Sequence, residues 1–182
     1  MLQSNQVPNR ERAKRIIMEI VRQAGDGIGK TKLFKAFWLA HLYYAKEASG
    51  YLSDWPVVRM PNGPGIDKGD ILLEELANAN LIRQTHRPIG PFTEVACILA
   101  LQELPDDLSA AAIRAVREAV EFVVPYTASA LSELSHEMSR SWRETPDGQE
   151  LSIYSDLIPD DVYAEQGRAA RELNQAYDEM FK

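Results

Sequence analysis

Apolar residues in this chain recur first at helical spacing. In "NRERAKRIIMEIVRQAG", Ala13, Ile16, Ile17, Ile20, Val21 and Ala24 share one face with charges between them, which predicts an amphipathic helix. Asn9 stands where an N-cap belongs, and Gly25 where the helix should stop. "KTKLFKAFWLAHLYYAKEASG" is apolar on more than one face, as expected of a central helix, and should end at Gly50. A Pro- and Gly-rich loop is expected over 51–65, extended in part around Trp55 to Val58. "IDKGDILLEELANANL" predicts a third helix starting near Ile66 or Asp67, with Ile71, Leu72, Glu75 and Leu76 on its buried stripe.

The pattern then changes period. Leu81–His86 and Thr93–Leu99 read as the arms of a β-hairpin with "RPIGP" as its turn. A helix followed by a two-stranded ribbon suggests a winged-helix-like element. Helical spacing returns at "DDLSAAAIRAVREAVEFVVPY", capped by Ser109 or Asp107, striped by Ala112, Ile113, Val116, Val120 and Val123/Val124, and ended by Pro125. Another helix follows from Thr127 or Ser129. "PDGQELSIYSDLIPD", 146–160, reads as a loop, out of which Pro159 enters a last helix with Val162, Ala169, Leu173, Ala176/Tyr177 and Met180 on one side. The expected fold is α+β and predominantly helical: one multi-helix domain with one small β-hairpin.

Length and composition fit one compact soluble domain: 182 residues, 45% hydrophobic and 26% charged. No apolar run is long enough for a membrane span, the polar N-terminus has no signal-peptide core, and a single cysteine, Cys97, excludes an internal disulfide framework. A cytoplasmic location is therefore expected. The net charge of −7 is uneven. Residues 1–50 carry nine Lys/Arg against four Asp/Glu, and residues 51–182 carry eleven against twenty-three. The basic third admits an acidic partner or nucleic acid, but the acidic remainder would repel a phosphate backbone, so nucleic acid is disfavoured.

Candidate chemistry is sparse. "AGDGIGKT", 24–31, fits a relaxed phosphate-loop pattern, yet it follows an amphipathic helix instead of a buried strand, so an interhelical turn is the better reading. His41, His86 and His136 lie in three separate elements without metal-ligand spacing. His41 reads as a satisfied core histidine and Cys97 as a buried small residue. The stretch "LSELSHEMSRSWRET", 131–145, is less ordinary. Treated as one continuous helix, it places Leu131, Leu134, Met138 and Trp142 on a buried face, and Ser132, His136, Ser139 and Arg143 on a polar stripe beside it. A Ser/His nucleophile would also need an orienting third group and an oxyanion hole, and neither has a recognisable motif here. His136 and the serines are instead expected to bond neighbouring backbone, with Trp142 anchoring a loop or a recognition surface. No cofactor, metal or catalytic residue is expected.

Three stretches together resemble the Panacea domain, also called the SocA-like antitoxin or phage-associated GepA-like family. "TKLFKAFWLAHLYY" is similar to the family's early helix, here with Lys32, Leu33 and Lys35. "DWPVVRMPNGPGI" resembles its Gly-Pro segment, here Gly63-Pro64. "LSELSHEMSRSW" resembles its late Ser/Thr-His…Trp element, here Ser135, His136 and Trp142. The likeness runs over about residues 10–155, leaving 159–182 as a C-terminal helix. Gly65 stands where the family usually has a β-branched residue. The resemblance implies a non-enzymatic antitoxin that neutralises a cognate toxin, encoded by an adjacent gene, through direct protein contact. Some members are linked to protease machinery as adaptors. Alternative readings are a winged-helix-like DNA-binding regulator and, from Ser/His content alone, a small hydrolase. The residues expected to carry the motif or meet a partner are Lys32, Lys35, Gly63, Pro64, Ser132, Ser135, His136, Ser139, Trp142 and Arg143.

Overall fold

The computed structural model describes residues 8–100 and 108–180; the first seven residues and Asp107, considered above as a cap, lie outside them. Helix α1 (Arg10–Ala24) starts where Asn9 accepts from Arg12 N, and stops at Gly25, whose φ of +67° suits glycine. A two-residue strand, β1 (Ile28–Gly29), leads into α2 (Lys30–Glu47). Every residue from Leu33 to Leu42 is buried, so α2 is the central helix; it ends three residues before Gly50, as the chain turns extended at Ala48. Helix α4 (Ala110–Val123), capped by Ser109, packs along α2 and α1 through Ala112, Ala115, Val116, Ala119, Val120 and Val123.

The stretch read as a loop is largely a hairpin. β2 (Val57–Met60) pairs antiparallel with β3 (Gly63–Ile66), in register Val57 with Ile66 and Met60 with Gly63. Its Pro and Gly content hid the strands; all four residues of β3 are buried. Because Ile66 is still paired in β3, helix α3 (Gly69–Asn78) starts later than expected and is rotated. Its buried face is Leu72, Leu73 and Leu76, whereas Ile71 is exposed and Glu75 pairs with Arg10 and Lys14.

The second hairpin, β4 (Ile82–Ile89) and β5 (Phe92–Leu99), is longer than its expected arms, and Gly90-Pro91 makes the turn. Pro88 is tolerated inside β4 because β4 is an edge strand: the sheet order is β1-β5-β4. Helix, strand, two helices and a hairpin whose second strand pairs back on the first strand is the element order of a winged helix, with the β2–β3 hairpin inserted between the two helices.

Thr127 caps α5 (Ala128–Met138), and the short α6 (Arg140–Glu144) follows directly. The last helix, α7 (Asp160–Met180), has no buried residue. The fold is thus α+β and predominantly helical. Among the described residues, no helix is long and apolar enough to cross a membrane.

Candidate functional site

The sequence between 131 and 145 does not form one helix. Ser139 leaves the helical conformation (φ −98°, ψ 104°), accepts from Trp142 N and so caps α6. The break voids the extrapolated faces. Met138 is 45% exposed, Trp142 only half-buried, and Ser139, expected on the polar stripe, is completely buried. Ser139 therefore cannot meet a partner. Asp156, from a 3-10 turn at Ile153–Leu157, accounts for its burial: the carboxylate accepts from Ser139 Oγ (2.8 Å), Ser141 Oγ (2.9 Å) and Ser141 N (2.7 Å).

Two other members of the stretch serve their own backbone. Ser132 Oγ donates to Ala128 O at 3.0 Å, and Arg143 Nη1 donates to the carbonyls of His136 and Glu137 at the end of α5. Lys32 also lies apart, donating from Nζ to Val124 O at 2.8 Å and so closing the end of α4.

The remaining six converge. Lys35, buried on α2, donates from Nζ to Pro64 O at 2.9 Å. Burial lowers its pKa to about 7. Gly63, with φ +94°, lies where a β-carbon would run into Ser135 Oγ and come within 2.8 Å of Lys35 Nζ. Glycine is thus required twice there, by conformation and by space. Ser135 Oγ donates to Ser132 O at 2.8 Å. His136, the next residue, stacks on Trp142 with ring centroids 3.8 Å apart and planes within 9°. Trp142 Nε1 donates to Met60 O at 2.9 Å, which ties α6 to the β2–β3 turn.

Arg59 completes the cluster and was not legible in advance. Its guanidinium carbon lies 4.4 Å from the Trp142 ring centre, and its Nε pairs with Asp147 at 2.8 Å. Burial, then the Lys35 charge, pushes the His136 pKa down; the Pro61 carbonyl opposes and Arg59 adds to the lowering. These influences favour the neutral form of the imidazole stacked on Trp142, and its buried Nε2 has no hydrogen-bond partner among the described residues. No serine hydroxyl among the described residues bonds to His136: Ser135 donates to a helix carbonyl and Ser139 to Asp156. No group of three or more His, Cys, Asp or Glu among the described residues is placed to hold a metal.

His41 lies elsewhere in the core. Its Nδ1 faces Phe37 O and its Nε2 faces Ser53 Oγ, both at 2.8 Å. A carbonyl only accepts, so Nδ1 carries the proton and the Ser53 hydroxyl donates to Nε2. Cys97 is buried in β5. The "AGDGIGKT" segment is an interhelical connection whose end pairs with β5, Ile28 opposite Cys97.

No family model, curated protein or solved structure matches this chain.

Proposed function

We propose that this protein is a cytoplasmic antitoxin of the Panacea type that silences a toxin by direct contact. The observation that carries this reading is the convergence just described. The three stretches that prompted the resemblance are far apart in sequence, yet Lys35, Gly63-Pro64, Ser135, His136 and Trp142 meet in one cluster. An accidental likeness would have no reason to put its matching residues in contact. The cluster is a keystone, not an active surface. It ties α2, the β2–β3 hairpin, α5 and α6 together through these contacts, and a preformed surface binds a partner at lower entropic cost. A specific complex needs roughly 800 Å² from each partner.

The decisive experiment is co-expression with the product of the adjacent gene. Growth rescue and co-purification are expected, and the absence of both would end the reading. An adaptor mechanism makes the same contact but needs a protease; rescue that vanishes in a protease-deficient host identifies it.

The winged-helix element order favours a second reading, a DNA-binding regulator. Charge opposes it. Helix α3 stands in the recognition position, yet it carries Asp70, Glu74 and Glu75 and no Lys or Arg. The basic side chains of the first third are largely engaged within the fold, Arg10 and Lys14 with Glu75, Lys30 with Asp70, and Lys35 with a carbonyl. Retardation of duplex DNA at low salt would revive this reading.

A further inference from the structure

Helix α7 is 21 residues long and buries none of them. Its first turn is tied to the body: Arg140 bonds Asp160 and lies 4.1 Å from the Tyr163 ring centre, and Tyr163 OH donates to Glu144. From Val162 onward the sequence keeps a heptad with apolar residues at five of its six core positions, Gln166 being the exception. Val162, Gln166, Ala169, Leu173, Ala176 and Met180 alternate at spacings of four and three, which places them on one seam. Leu173 is 72% exposed and Met180 74%. A seam left this exposed costs apolar surface in water, and that cost is met only when something covers it.

The flanks say what the cover is. Glu165, Glu172 and Glu179 stand seven apart along one edge of the seam, and Tyr163, Ala170 and Tyr177 along the other. A second copy is a poor occupant. Antiparallel pairing sets one glutamate edge against the other, and parallel pairing sets it against tyrosines and alanine, with no opposite charge in either case. The whole helix carries six acidic side chains against two arginines. Alanines at two seam positions also allow a close approach by another helix.

From this we infer that α7 is the docking element of the protein, and that it takes an amphipathic helix of a protein partner whose apolar seam is flanked by Lys or Arg. The inference rests on the antitoxin reading for the identity of that partner, the toxin, but not for the surface itself.

Two synthetic 21-residue peptides test the surface directly, one with a leucine seam flanked by lysines and one with the same seam flanked by glutamates. Fluorescence anisotropy against the full chain should show the lysine-flanked peptide bound at least about tenfold more tightly. Reversing Glu165, Glu172 and Glu179 to Lys should invert that preference. Leu173→Asp with Met180→Asp should remove binding of both peptides, and circular dichroism should show the fold retained, because both positions are exposed. Equal binding of the two peptides, no binding of either, or self-association of the full chain that Leu173→Asp with Met180→Asp abolishes would each overturn the inference. With the adjacent gene's product, rescue lost in this double variant supports both proposals. Rescue retained in it removes the docking role of α7 and leaves the antitoxin reading standing. Peptide discrimination without any rescue keeps the surface and removes the antitoxin.

Discussion

Two buried bases make stability depend on pH in separate windows. His41 is fully enclosed, and burial lowers its pKa to about 4 from 6.5. Between those values the unfolded chain takes up a proton that the native chain refuses, so stability is lost as pH falls from 6.5 towards 4. The loss is on the order of 3 kcal/mol. Lys35 acts higher. Its pKa falls from 10.5 to about 7, so from pH 7 upwards the native chain sheds a proton that the unfolded chain keeps, and stability rises. About 2–3 kcal/mol should accrue between pH 7 and 9. Above that, Cys97, raised from 9.0 to about 11 by burial, works in the opposite direction, because the unfolded thiol ionises first. Urea midpoints measured from pH 4 to 9 check this, and Lys35→Met should flatten the rise between 7 and 9. A midpoint that still rises in that variant would locate the effect in another group. At Gly63, alanine must adopt φ +94° and displace Ser135 Oγ or Lys35, at a cost of about 2–4 kcal/mol readable as a lowered urea midpoint.

At the scale of elements, the junction of α5 and α6 is where local pattern and tertiary structure part. Helical periodicity correctly found α1, α4 and α7, because each has an apolar stripe on one side and a cap or breaker that acts within a few residues: Asn9 and Gly25, Ser109, Pro159; α2 was found instead by its apolar content on more than one face. The break at Ser139 has no such local cause. It depends on Asp156, fifteen residues beyond Ser141 and brought back by a loop, which no periodicity encodes. The β2–β3 hairpin was obscured for a related reason: "GPGI" has poor strand propensity and is held extended by packing under Lys35 and Ser135. Six of the ten motif residues were found to converge because the resemblance grouped them; Arg59 and Asp156 lay outside it. Asp156→Ala should leave the buried Ser139 and Ser141 hydroxyls only each other to bond, strip Ser141 N of its acceptor, and cost about 2–4 kcal/mol. Asp156→Asn keeps an acceptor for Ser141 N and should cost less. Chemical denaturation of the two variants checks the order, and equal losses would mean that the charge, not the acceptor, matters.

Over the whole molecule, a closed core stands beside a helix that buries none of its residues. Residues from α1 to the 3-10 turn bury a continuous cluster that runs from Ala13 to Ile153, with α2 at its centre. Among the described residues, helix α7 contributes no side chain to that cluster, and its first turn is held by the contacts of Asp160 and Tyr163 with Arg140 and Glu144. Stability and partner binding should therefore separate on truncation. A chain ending at Ala164 keeps the anchoring turn and loses the seam from Gln166 onward. Removing side chains that are exposed in the native state changes stability by about 0.5 kcal/mol or less. Its melting temperature should thus stay within roughly 2 °C of the full chain. The same truncation should abolish co-purification with the adjacent gene's product, while the Gly63→Ala variant should weaken it only as far as unfolding does. A melting temperature lowered by more than about 8 °C would mean that α7 supports the core after all, because a shift of that size in a domain of this length corresponds to a loss of several interactions.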